Sequence, residues 1–338
     1  MINSELPINQ SRWFQRMALL TVAVVYLLIL VGGIVRSTGA GMGCPDWPQC
    51  FGSWVPPTEE SQLPFNYKVI YGEKLKGEVE FNATKTWIEY LNRLFGAFTG
   101  LLIFATLLAS VPFLRKDRPI FYMSLLAFVL VGFQGWLGSK VVSFELKPVM
   151  VTIHMMVAVV IVFVLLYVLA RSYVHNIQIE KIANKSFLNK YFGWVIGLSL
   201  LQIVMGTQVR EAIDEVIKTM GYDARDQWVG ALDYRFYVHR SFSLIILSLH
   251  LGLIYFLRKN TSINGFLGKL TTALLVIIVV EITTGIVLAY WSVPAFAQPI
   301  HLTLAIVAVG VQFVGFLLLN SESLLKKSDV LESNLQTY

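Results

Sequence analysis

Apolar residues run along this chain in eight blocks, at about 14–35, 90–113, 119–139, 150–171, 188–209, 236–257, 267–290 and 300–320. Each is about as long as the roughly 20 residues a helix needs to cross hydrocarbon. Backbone groups in lipid must bond within their own segment, so runs of this length predict transmembrane α-helices. The polar connections differ in charge. Lys and Arg gather at Arg12 and Arg16, at Arg115, Lys116 and Arg118, at Arg171, Lys181, Lys185 and Lys190, at Arg258, Lys259 and Lys269, and at Lys326 and Lys327. The connection after the seventh block, "WSVPAFAQP", carries none. Basic residues stay on the cytoplasmic side of a membrane, so both termini are expected there. The first block is a full span with no small-residue cleavage site after it, which predicts a retained helix rather than a cleaved signal.

Composition agrees with the pattern. Of 338 residues, 56% are hydrophobic and 14% charged, where soluble domains carry about 25% charge; mean hydropathy is +0.64. The net charge of +6 reads as topology. No basic run is interleaved with aromatic residues, and no nucleic-acid partner is expected.

An internal repeat organises the eight blocks. Asn92-Arg93 and His239-Arg240 stand 147 positions apart, as do His154 and His301, and Gly138 and Gly285. "VGGIVR", ending at Arg36, matches "MGTQVR", ending at Arg210, at an offset of 174, so the first outer loop is 27 residues longer than its counterpart. Two sets of four helices keep the same orientation. The expected fold is therefore an all-α membrane protein of two tandem four-helix bundles, related by a pseudo-two-fold axis along the membrane normal. The expected divisions are residues 1–172, with a long outer loop at 36–88; residues 187–320; and a cytoplasmic tail at 321–338.

Bundle cores often hold cofactors between facing helices. His239 and His301 begin two helices of the second half at equivalent depth. Ionisable residues inside a membrane are expensive unless used, and two neutral imidazoles there suit haem iron as axial ligands; the alternative is a pair of packed core histidines. His154 is the same case with its partner replaced by Asn92. His175 reads as a solvated loop residue and His250 as a packed or interfacial one. Arg36, Arg93, Arg210 and Arg240 flank these positions. They either snorkel to the interface or pair with acid groups of a haem. Glu89 has no acidic counterpart in the second half, where Phe236 stands. It lies one helical turn before Asn92, on the same face. It suits a general base, a metal ligand or a charge at a helix N-terminus. Cys44 and Cys50, the only cysteines, share the outer loop. An oxidising compartment permits a disulfide there; two separate thiols are the alternative.

The stretch "GGIVRSTGAGMGCPDWPQC" (32–50) resembles the first outer loop of the haem A synthases. "VTIHMMVA" and "QPIHLTLAI" resemble their later histidine helices, and "YVHRSF" their sixth helix. The resemblance covers nearly the whole chain. It implies a multi-pass enzyme of the bacterial plasma membrane that oxidises the C8 methyl of haem O to a formyl group by successive hydroxylations. It implies haem B held between His239 and His301, substrate haem in the first half near Glu89 and His154, Glu89 as the catalytic residue, and a Cys44–Cys50 pair. The chain has no redox domain of its own, so electrons come from a separate donor. Haem O synthase and terminal oxidase assembly are the further partners implied. Asn92 departs from the family's pattern, which has histidine there, and leaves one side of the substrate iron without an imidazole. Two other functions compete: a cytochrome b-type electron carrier with no chemistry at the first site, and an inactive or altered-substrate relative. A transporter fits less well, because the polar residues gather at one side of the membrane rather than at its midplane.

Overall fold

The computed structural model describes residues 8–72, 81–174, 177, 182 and 184–325. His175, Lys181, Lys326 and Lys327 lie outside the described residues, as does the tail from 326 onward. Among the described residues the regular structure is helical. Eight helices are long and apolar enough to cross a membrane: α1 (Ile8–Ser37), α3 (Ala83–Ser110), α4 (Arg118–Ser143), α5 (Pro148–Tyr173), α6 (Lys185–Met220), α7 (Tyr234–Asn260), α8 (Phe266–Tyr290) and α9 (Ala297–Leu319). Short helices α2 (Tyr67–Tyr71) and α10 (Ser321–Leu324) lie in the outer loop and after the last span.

Several spans reach beyond the apolar blocks that announced them, and two of them bear on the site. α3 starts seven residues before its block, because the Asn82 side chain accepts the Lys85 amide at 3.0 Å and caps an earlier turn. α6 runs about three turns past its block. That extension is amphipathic: Ala212, Ile213 and Val216 bury against Trp228, Leu232 and Val293. The Arg225 guanidinium then donates to the carbonyls of Ser292 and Val293 at 2.9 Å each, tying the α6–α7 connection to the α8–α9 connection.

Packing closes the helices into two rings. α1 packs on α3, α3 on α4, α4 on α5 and α5 back on α1; α6, α7, α8 and α9 repeat the circuit. The rings join mainly where α9 meets α1 and α5. There Gly33 lies so close to Pro299 that an added Cβ would stand 2.8 Å from the proline Cβ, and Phe163 stacks on Phe313 at 4.5 Å.

The apolar core is lopsided. In the first ring it comprises Val22, Val25, Ile103, Ala127, Ile161 and Leu165; in the second, Leu188, Phe192, Val195, Leu253, Leu274 and Leu318. Both clusters lie toward the ends of the helices remote from the 38–82 loop. The near ends are left open around a cavity of about 2280 Å³ that runs through both rings. Ordinary small-molecule pockets occupy roughly 300–1,000 Å³, so this one has room for more than one large ligand.

Candidate active site

Every histidine singled out by the repeat lines this cavity, and each faces a helix that makes room for it in the same way. On α6, Gln202 donates to the His239 carbonyl at 3.1 Å, and Gly206, one turn on, lies beneath the ring: an added Cβ would stand 3.3 Å from His239 Cε1. On α4, Gln134 donates to the His154 carbonyl at 2.9 Å, and a Cβ on Gly138 would stand 3.6 Å from the ring. On α8 the same spacing gives Glu281 and Gly285, with a Cβ on Gly285 3.3 Å from His301 Cε1. Residues four apart share a helix face, so one polar side chain and one glycine form a seat for each histidine. The fourth seat, on α1, reads Leu28 and Gly32. By the repeat it is the counterpart for Asn92, which lines the same cavity, and among the described residues nothing lies within 4 Å of a Cβ on Gly32. The shorter side chain thus leaves open the space that an imidazole fills in the second ring.

His239 and His301 both line the cavity from facing helices of the second ring. His301 Nδ1 is 3.0 Å from the Thr284 hydroxyl and 3.2 Å from a Glu281 carboxyl oxygen. Among the described residues, the Nδ1 atoms of His154 and His239 are buried with no hydrogen-bond partner. His250 is a packed residue at the cavity floor: Nδ1 donates to the Ile246 carbonyl at 2.7 Å, and Nε2 accepts from Gln312 at 2.6 Å.

The mouth of the first ring is covered by the described part of the loop between α1 and α3. Cys44 and Cys50 form a disulfide with their Cα atoms 4.8 Å apart, and they bury with Phe51 and Tyr67 beneath Tyr71, Phe81 and Tyr90. The ring they close is short, so its entropic contribution is at most about 3 kcal/mol. Glu89, 3% exposed, reaches into this loop. One carboxyl oxygen accepts the Cys44 amide at 2.8 Å, and the other pairs with Arg93. Arg93 also donates to the carbonyls of Asp46 at 2.7 Å, Gln49 at 3.0 Å and Cys44 at 3.0 Å. Its guanidinium hydrogens are all taken up, three by loop carbonyls and two by the Glu89 carboxylate.

The other flanking arginines stand at the junction and rim. Asp214 on the α6 extension accepts Arg36 at 2.7 Å and Arg210 at 2.9 Å, and Arg210 also donates to the Arg36 carbonyl at 3.1 Å. The two repeat-related arginines are thereby joined across the rings. Arg240 donates to the Tyr290 hydroxyl at 3.0 Å. Asp214, Glu281, Gln134 and Gln202 escaped the sequence reading. Glu281 carried a signal: it is a lone carboxylate inside an apolar block, at the repeat position of Gln134, and such residues are costly in a membrane.

Fold and site together define a multi-pass helical membrane protein with a histidine-lined internal cavity closed at one mouth by a disulfide loop. Residues 15–313 match the COX15-CtaA family, described as cytochrome oxidase assembly protein, and the chain belongs to that family. Among its relatives, "Heme A synthase" of Rickettsia bellii strain RML369-C is 25% identical over 90% of this chain and 96% of its own length. "Heme A synthase" of Shewanella oneidensis is 30% identical over 48% of this chain and 46% of its own. The protein of that name from Bartonella quintana is 29% identical over 58% of this chain and 56% of its own.

Proposed function

We propose that this protein is a haem A synthase, oxidising the C8 methyl of haem O to a formyl group. The observation that carries this reading is the inequality of the two rings: the second has two seated imidazoles, and the first has one imidazole, an open seat and a buried carboxylate. The second ring fits a resident haem B. His239 and His301 offer two nitrogen donors lining one cavity, each ring is accommodated by a glycine, and the cavity is large enough for a macrocycle. Haem B when bound supplies one-electron relay between an external donor and the substrate. In the first ring His154 holds the substrate iron from one side, and Asn92 faces the other with an amide that can hydrogen-bond a small ligand. Glu89 is placed to take a proton at its carboxyl, and the disulfide loop above it excludes water. Arg36, Arg210 and Arg240 line the cavity and are the candidates to pair with haem acid groups, the first two sharing Asp214; Arg93 serves the loop.

In this reading residues 1–172 form the substrate bundle and residues 187–320 the haem B bundle, the two related by a pseudo-two-fold axis along the membrane normal. The loop-bearing end faces outward, where a disulfide persists, and both termini face the cytoplasm. Haem O synthase and the assembling terminal oxidase are the expected neighbours. Pigment analysis after co-expression with a source of haem O tests the activity. Haem A should accumulate. Bound haem B without haem A would instead indicate an electron carrier or an inactive relative.

A further inference from the structure

We propose that Glu281 is a positioning residue for His301, fixing its ring and strengthening it as a permanent iron ligand; this rests on the reading of His239 and His301 as haem ligands. Three oxygens converge on His301 Nδ1: the Thr284 hydroxyl at 3.0 Å, the Glu281 carbonyl at 3.2 Å and the Glu281 carboxyl Oε1 at 3.2 Å. The Thr284 hydroxyl donates its own hydrogen to the Glu281 carbonyl at 2.8 Å, so it presents a lone pair to the ring. Every group around Nδ1 is thus an acceptor. The ring proton is held on Nδ1, and Nε2 keeps its lone pair for a metal.

The arrangement is specific to one seat. In the other two histidine seats a glutamine occupies the position of Glu281 and turns to the backbone carbonyl of its histidine, leaving Nδ1 buried without a partner. Glu281 turns to the ring itself. Its second oxygen, Oε2, is buried with no hydrogen-bond partner among the described residues. An outer carboxylate of this kind orients a ligating histidine and raises its basicity, and removing one typically costs 10–100-fold in affinity. The substrate-side His154 lacks such a partner. His239 lacks one as well, so the device belongs to a single axial position of the second ring.

The test compares Glu281→Gln with His301→Ala in the full-length, detergent-solubilised protein loaded with haem B. Glu281→Gln keeps size and an acceptor but removes the carboxylate. It should retain the low-spin spectrum, bind haem B roughly tenfold more weakly and shift the haem midpoint potential upward. A second measurement does not depend on that variant folding. His301→Gly supplied with imidazole should recover the low-spin spectrum at lower ligand concentration than with 1-methylimidazole, which has no ring N–H to offer Glu281. The preference should shrink in the His301→Gly, Glu281→Gln double variant. Unchanged potential and affinity in Glu281→Gln, or an imidazole preference that survives the double variant, overturns the role of Glu281. Retention of the low-spin haem in His301→Ala would overturn the ligand assignment itself.

Discussion

Glu89 accepts the Cys44 amide through one carboxyl oxygen and the Arg93 guanidinium through the other, so the group placed to handle a proton also fastens the loop over its own pocket. Its replacement must be chosen to separate these duties. Glu89→Gln keeps an oxygen for the Cys44 amide while removing the charge that faces Arg93, whereas Glu89→Ala leaves both the Cys44 amide and the buried Arg93 without their side-chain partner, at about 3–5 kcal/mol. Glu89→Gln is expected to lower haem A formation by at least about a hundredfold, the usual scale of a lost acid–base group, with second-ring haem content unchanged. Normal pigment yield in that variant would remove Glu89 from the chemistry. At Asn92 the expected change is spectral. Asn92→His places a ring over Gly32, where nothing lies within 4 Å. Substrate iron in the first ring should become six-coordinate and low-spin, and turnover should slow. A first-ring spectrum identical to that of the parent would mean that residue 92 does not face the iron.

At the scale of the helix, the four seats rest on spacing alone: a polar residue and a glycine one turn apart on α4, α6 and α8, and a leucine and a glycine on α1. The glycines separate steric from chemical effects. Gly206→Ala and Gly285→Ala bring a methyl to 3.3 Å from a histidine ring, and such overpacking costs typically about 1–3 kcal/mol. Both should lower the low-spin haem content of the second ring. Gly32→Ala meets open space and should leave it unchanged, and equal losses in all three would show that helix flexibility is what matters. The spans were legible in the sequence because apolar length is a local property. The histidine pairs were legible because the repeat offset is arithmetic. The α6 extension was not, since its apolar stripe matters only once Trp228 and Val293 fold against it. Nor was the Arg93 clamp, whose carbonyl partners are indistinguishable in sequence from any others.

For the molecule as a whole, the rings do not share the burden equally. α9 buries 50% of its most apolar stretch, where the other spans bury 11–28%, because it packs on α1 and α5 as well as on its own ring. The helix that carries His301 is therefore supported by the first half of the chain. Residues 184–338 expressed alone should insert but hold haem B poorly, and co-expression with residues 1–183 should restore it, as read by haem content after purification through a tag on the second piece. Full haem retention by the second piece alone would mean that its ring is self-sufficient. The repeat made both rings readable from the sequence. It concealed this dependence, because a symmetric pattern does not reveal which helix becomes central when the halves dock.

The open seat beneath Asn92 also bears on ancestry. Asparagine and histidine codons differ at a single base, and Gly32 still provides the clearance that a histidine would need. One point mutation therefore separates this chain from one with an imidazole at every seat, with no second change required to make room. A substitution that neighbouring positions have grown around is hard to undo; the open space at Gly32 leaves an exchange of Asn92 for histidine sterically open. The asparagine is then a variable that inheritance can toggle within a fixed scaffold, and ligand number can drift between lineages without any change of fold.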